Sequence, residues 1–128
     1  MSIQSELFTK LSGTAGVSAL VATRIRPVKL PHGYTLPAIV YTRITSPRIY
    51  HLGGASGRTR TRFQIDSWAT TEAAASNVAD AVRAALSGFN GTLTTLKAVI
   101  HLEREQDQYD ADAEAFGVSQ DYIFNHTE

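Results

Sequence analysis

Four histidines, His32, His51, His101 and His126, are the first residues to weigh for chemistry. None stands at metal-site spacing from another, and a zinc site requires close pairs or converging acids. Each therefore reads as an ordinary loop or strand-face residue. No G-x-S-x-G frames a serine as a nucleophile elbow. "GGASG" (Gly53 to Gly57) has the glycines of a phosphate cradle, but neither a lysine nor a helix follows as in a P-loop. "DQYDADAE" (Asp107 to Glu114) has the acids of a calcium loop. An EF-hand needs glycine at its sixth position and glutamate at its twelfth, and counting from Asp107 finds Asp112 and Val118 there. A solvated acidic loop is the better reading. The chain has no cysteine, which removes disulfides, thiolate metal sites and cysteine nucleophiles together. No acid–base pair, nucleophile, metal site or cofactor site assembles from these residues, so catalysis is not expected.

One pattern is left over. "GRTRTRFQIDSWAT" (Gly57 to Thr70) places Arg58, Arg60 and Arg62 at every second residue. A β-strand sends alternate side chains to opposite faces, so the guanidinium groups stand in one row, continued by Gln64, Asp66 and Trp68. Phe63 and Ile65 point the other way and should meet the core. Solvation is the commonest fate of such a row, but three like charges beside a glycine-rich tip exceed what solubility needs. The row reads as an interaction surface. Asp66 is expected to pair with an arginine of a neighbouring strand, Arg43, and Trp68 to cover the sheet end.

Charge is unevenly distributed along the chain. Net charge is zero, yet of the 12 acids only Glu6 precedes Arg62, and of the 12 basic residues only Arg83, Lys97 and Arg104 follow it. Such asymmetry is a cue for interaction surfaces, unless the fold interleaves the halves and neutralises them locally. At 128 residues and 43% apolar content, the chain suits a single domain, 1–128, with a core of its own. "MSIQSELFTK" lacks the layout of a signal peptide, and no apolar run approaches a bilayer span, so a soluble protein of intracellular type is expected.

The elements that position these residues follow from periodicity. Ile3, Leu7, Phe8 and Leu11 predict a helix from Ser2 to about Ser12, ended by Gly13, with a helical turn over Val17 to Val21. Pro27, Pro31 and Pro37 forbid helix afterwards; Arg24 to Val28 reads as extended, then a loop turning at His32-Gly33. "AIVYTRITS" (Ala38 to Ser46) reads as a strand, and so does Arg58 to Ala69. The stretch between them, "PRIYHLGGASG", reads as a long mobile loop, with Tyr50, His51, Leu52, Gly53 and Gly54 as a flexible contact tip. "TEAAASNVADAVRAALSG" is the strongest helix, capped by Thr70 or Thr71, striped by Ala75, Val78, Ala79, Val82, Leu86 and Phe89, and stopped at Gly88. Leu96 to Glu103 and Val118 to His126 read as strands linked by the acidic stretch. The sum is an α+β fold. It has a mainly antiparallel β-sheet with a long two-stranded hairpin, packed against an alanine-rich helix, plus a short N-terminal helix.

"LPAIVYTRIT" after an extended "TRIRP", then "RFQIDSWAT" leading into an alanine-rich helix and a closing "QDYIFNH", resembles the tail-completion (tail terminator) proteins of long-tailed bacteriophages. The resemblance covers most of the chain in order. It implies a non-enzymatic virion subunit, from a phage or prophage, in a hexameric ring that caps the tail tube and joins it to the head. The implied partners are further copies of itself, the tail tube protein, the head–tail connector protein, and DNA passing through without specific binding; no membrane and no cofactor are implied. The implied setting is the host cytoplasm during assembly, then the head–tail junction. A ring sets one patch against a different patch on the next subunit, which suits Arg58, Arg60 and Arg62 against Asp107, Asp110, Asp112 and Glu114. The alternatives are a head-side connector or stopper ring, a nucleic-acid-binding module, and a small ligand-binding or enzymatic domain. The second would usually carry a basic excess, which a neutral chain lacks.

Overall fold

The structure is a computed structural model that describes residues 2–22, 24–29, 35–112 and 114–127, with the backbone alone at 49–51, 55 and 56. Ser2 caps the first helix, α1 (Ile3–Ser12), its hydroxyl accepting the Ser5 amide at 3.2 Å. Ile3, Leu7 and Leu11 recur on one face and are buried. Gly13 closes α1 with its amide on the Thr9 carbonyl at 2.9 Å, so close that a β-carbon would press on that oxygen at 3.0 Å. A second helix, α2 (Ala15–Val21), buries Val17 and Val21.

The strands follow: β1 (Ile25–Pro27), β2 (Ala38–Thr45), β3 (Arg48–His51) and β4 (Gly54–Ala69), then helix α3 (Glu72–Leu86), β5 (Asn90–Thr92), β6 (Lys97–Asp110) and β7 (Ala115–Thr127). The expected turn at His32-Gly33 lies outside the described residues. The strands join in one sheet in the order β1-β2-β4-β7-β6-β5, with β3 also on β4. β1 runs parallel to β2 and the remaining pairings are antiparallel.

The helices cover one face of this sheet. On β4, Thr59, Thr61, Phe63, Ile65, Ser67 and Ala69 are buried, while the residues alternating with them are exposed or half-buried. Phe63 meets Phe124 of β7 edge-on, with ring centres 5.2 Å apart, among Leu7, Val21, Val82 and Ile100. Thr71 caps α3 by accepting the Ala74 amide at 3.1 Å. Small Ala75 and Ala79 let that helix approach Ala69 and Val118 closely. Buried Gln120 ties the layers together, donating to the Ala79 carbonyl at 3.2 Å and to Glu105 at 2.8 Å, and accepting from Tyr122 at 3.1 Å.

Two segments differ from their sequence reading. "PRIYHLGGASG" is mostly paired strand, not a long loop: β3 and the start of β4 form a hairpin turning at Leu52 and Gly53. Its register shifts between Ile49 and Tyr50, and Gly57, at φ 77°, absorbs the irregularity on β4. The acidic link is likewise ladder. β6 runs on to Asp110 and β7 starts at Ala115, with Asp107 opposite Val118 and Tyr109 opposite Phe116. Backbone pairing with the apolar β7 holds this half of β6 in place, so its own side chains need no alternation.

Candidate functional site

The arginine row lies on the face of the sheet opposite the helices. Arg58 and Arg60 are exposed, whereas Arg62 is drawn down onto the sheet. Its Nη2 donates to Asp121 Oδ2 at 3.2 Å and lies 3.5 Å from Glu103 Oε1. Arg104 approaches the same Asp121 oxygen at 3.9 Å. Asp121 sits beside the row because β7 pairs with β4 in a register that sets it against Gln64, two residues from Arg62 on the same face. Its place on β7, alternating with buried Gln120 and Tyr122, is the signal that sequence reading passed over.

Asp66 does not pair with Arg43. The β2–β4 register puts Val40 against Asp66 and Arg43 against Phe63, so the arginine projects from the helix-covered face. There the Gln4 amide oxygen, in its satisfied orientation, accepts from both Arg43 terminal nitrogens at 3.2 Å. Asp66 accepts instead from Gln64 at 3.1 and 3.2 Å. Burial pushes its carboxyl up, against the lowering effect of hydrogen bonds from Ser119 and Gln64, and the nearby Asp121 charge raises it further. Trp68 covers the far end of the face as expected. Its ring lies so close over Gly117 that a β-carbon there would come within 2.8 Å of it.

The acids gather at the other end. Asp107 and Asp110 lie on the last part of β6, and Asp112 and Glu114 in the turn to β7, where the Asp112 amide donates to Asp110 Oδ1 at 3.0 Å. β4 carries Arg58 opposite Thr127 and Ala69 opposite Phe116. Those pairings are eleven residues apart, roughly 36 Å of strand. Thus the arginines share one face and the acids one end, but a single chain does not bring the two groups together. The contact tip divides likewise: Tyr50 and His51 end β3, Leu52 and Gly53 turn, and Gly54 begins β4.

His126 and two nearby hydroxyls form a structural network. His126 is buried, with Nδ1 2.7 Å from the Thr127 carbonyl and Nε2 2.6 Å from Thr61 Oγ1. The carbonyl can only accept, so Nδ1 carries a proton, and Nε2 shares a hydrogen bond with the Thr61 hydroxyl. Thr61 in turn lies 2.8 Å from Ser46 Oγ and is fully buried. Among the described residues, no three His, Asp or Glu side chains converge as a metal site would need, and no helix is long and apolar enough to cross a membrane.

A family model described as "Tail completion protein gp17" matches residues 5–126. The fold is similar to that of a chain in the solved structure "Virion of native gene transfer agent (GTA) particle", with a TM-score of 0.82 at 18% identity. That similarity covers 99% of this chain and 96% of the other. No curated protein matches.

Proposed function

Because the chain belongs to the Tail completion protein gp17 family, we propose that it closes a phage-type tail tube as a ring of identical copies and joins the tube to the DNA-filled head. Its role is structural. The sequence resemblance implies a ring of six copies, and that number is proposed here. The partners are the tube protein on one side and a head–tail connector on the other, with DNA passing through unread. The ring assembles in the host cytoplasm and stays at the head–tail junction of the particle. Likeness to a chain of the gene transfer agent virion supports a place in such a particle.

The observation that carries this reading is the separation of charge along one sheet. Arg58 and Arg60 lie at one end, and Asp107, Asp110, Asp112 and Glu114 at the other, too far apart to pair within one copy. Head-to-tail contact between copies brings unlike ends together, and rotation closes the series into a ring. Arg62 belongs to the row but is held by Asp121 and Glu103, so it braces the face, while Arg58 and Arg60 are the exposed members of the row. Single exposed ion pairs contribute only about 0–1 kcal/mol, which calls for a multiple reversal.

The test is Arg58→Glu with Arg60→Glu. Arg62 stays native because its reversal would set three carboxylates together. The double variant should melt like the native protein yet lose ring formation in native mass spectrometry and reduce the yield of tailed particles. Lysine at Asp107, Asp110, Asp112 and Glu114 in the same chain should restore assembly in part. Normal rings and normal particle yield from the double variant would refute the contact.

A further inference from the structure

Leu52 is the most exposed large apolar side chain among the described residues, fully open to solvent at the turn between β3 and β4. Its hairpin stands clear of the sheet centre. Pairing between β4 and β7 begins only at Arg58 and Thr127, so the residues of β4 before Arg58 pair with β3 alone. An apolar tip is thus carried on an arm whose base holds two exposed arginines, Arg48 and Arg58.

A recess with the complementary character lies at the opposite end of the molecule. It is a cleft of about 300 Å³ on the helix side, between the start of α3 and the far end of the β6–β7 hairpin. Ala75, Phe116 and Val118 give it an apolar lining, and Tyr109 leans on Phe116 with ring centres 4.8 Å apart. Glu72 and Asp107 add acidic groups, and among the described residues no basic one lines it. Its volume lies at the lower end of the range in which pockets hold small ligands, enough for one aliphatic side chain.

We propose that Leu52 of one copy seats in this cleft of the next copy, with the arginines of the arm facing Glu72 and Asp107. The occupant is a second copy of this chain, because tip and cleft have matching apolar character and opposite charge, and every copy carries both. A chain cannot fill its own cleft. Gly54 and the Trp68–Gly117 pair are fourteen β4 residues apart, roughly 45 Å of strand. The contact is therefore heterologous, and it rests on the reading of the protein as a ring. It assigns Leu52 as the apolar anchor, with the charge pairs around it setting register.

The absence of cysteine allows a clean trap. Leu52→Cys combined with Glu72→Cys should give a ladder of disulfide-linked multimers on mild oxidation. Leu52→Cys with Asp80→Cys, two turns further along α3, should not, since disulfides form only across short Cα separations. Leu52→Asp should weaken self-association roughly tenfold or more, as expected for losing a buried leucine at a contact. Native mass spectrometry of the unmodified protein, alone and on tail tubes, separates the two layers of the argument. Assembled native protein with no excess of Glu72 cross-links over the Asp80 control would overturn the Leu52 contact alone. So would cross-linking of Leu52→Cys to the tube protein instead. Native protein that stays monomeric in both settings would overturn the ring reading and this contact together.

Discussion

Glu6 is fully buried, and its Oε1 accepts from the Thr95 amide at 2.6 Å, the Thr95 hydroxyl at 3.0 Å and the Leu96 amide at 2.9 Å. Burial alone would raise its pKa, but these hydrogen bonds outweigh it and bring the carboxyl from 4.5 down to about 2. A lowered folded-state pKa means stability that is complete above about 4.5 and drains away as pH falls towards about 2. Glu6→Gln should therefore be less stable than the native protein at pH 6, with the gap closing in urea titrations taken down to pH 3. A gap independent of pH would show that the charge is immaterial. Glu6→Ala, which leaves two amides without their acceptor, should cost about 2–4 kcal/mol. A second residue-scale test uses the single tryptophan. In Gly117→Ala the new methyl needs space now held by the Trp68 ring, so the ring must shift. Trp fluorescence should change, with stability falling by about 1–2 kcal/mol. An unchanged spectrum would contradict the close packing of ring on backbone.

At the scale of elements, α3 is the test piece. Val82 is fully buried against the sheet, so Val82→Asp should prevent folding by placing an unpaired charge there, at a cost of several kcal/mol. A soluble variant with a native thermal melt would contradict that packing. This helix and β4 were legible in the sequence because each has one dry face and one wet face, which writes a period into the residues. β2 was legible for its β-branched run. The outer half of β6 was not, because Glu103 to Asp107 are all exposed and pairing with β7 leaves no mark on their types. β3 was hidden by Pro47 and the glycines that follow, which serve the hairpin's turn and irregularity as well as they would serve a loop. The Arg43–Asp66 pairing failed for want of register: one step along a strand reverses the face a side chain takes. The arginine row survived this uncertainty because three alternating positions fix a face without knowledge of any neighbour.

For the whole molecule, the relevant quantity is where charge lies, since the net value is zero. A chain with basic and acidic ends should associate with itself more weakly as salt rises, because exposed pairs are screened. Binding to DNA should be weak, indifferent to sequence and gone by physiological salt, since few phosphates meet each copy. A fluorescence titration with duplexes of unrelated sequence would check this. Tight, selective binding at that salt would contradict the proposed passage of DNA through a ring. The candidate surface was legible in part at this scale. Charge segregation showed in the sequence, but the distance between the two ends appeared only once β4, β7 and β6 were laid side by side.

The position of β7 bears on how the protein comes off the ribosome. It lies between β4 and β6, both of which precede it in the chain. Until the residues up to Thr127 have emerged, β4 has no partner along that side, and Thr59 waits for His126, its match across the ladder. Until then the nascent chain has a long strand edge open to other chains. β6 and β7 are joined by a tight turn and can zip together first, after which the pair docks on β4 in one step. Translation arrested at Asp112 should leave a chain that is readily digested and prone to clumping, whereas a chain that carries β7 should gain protease resistance in β2, β4 and β6 at the same time.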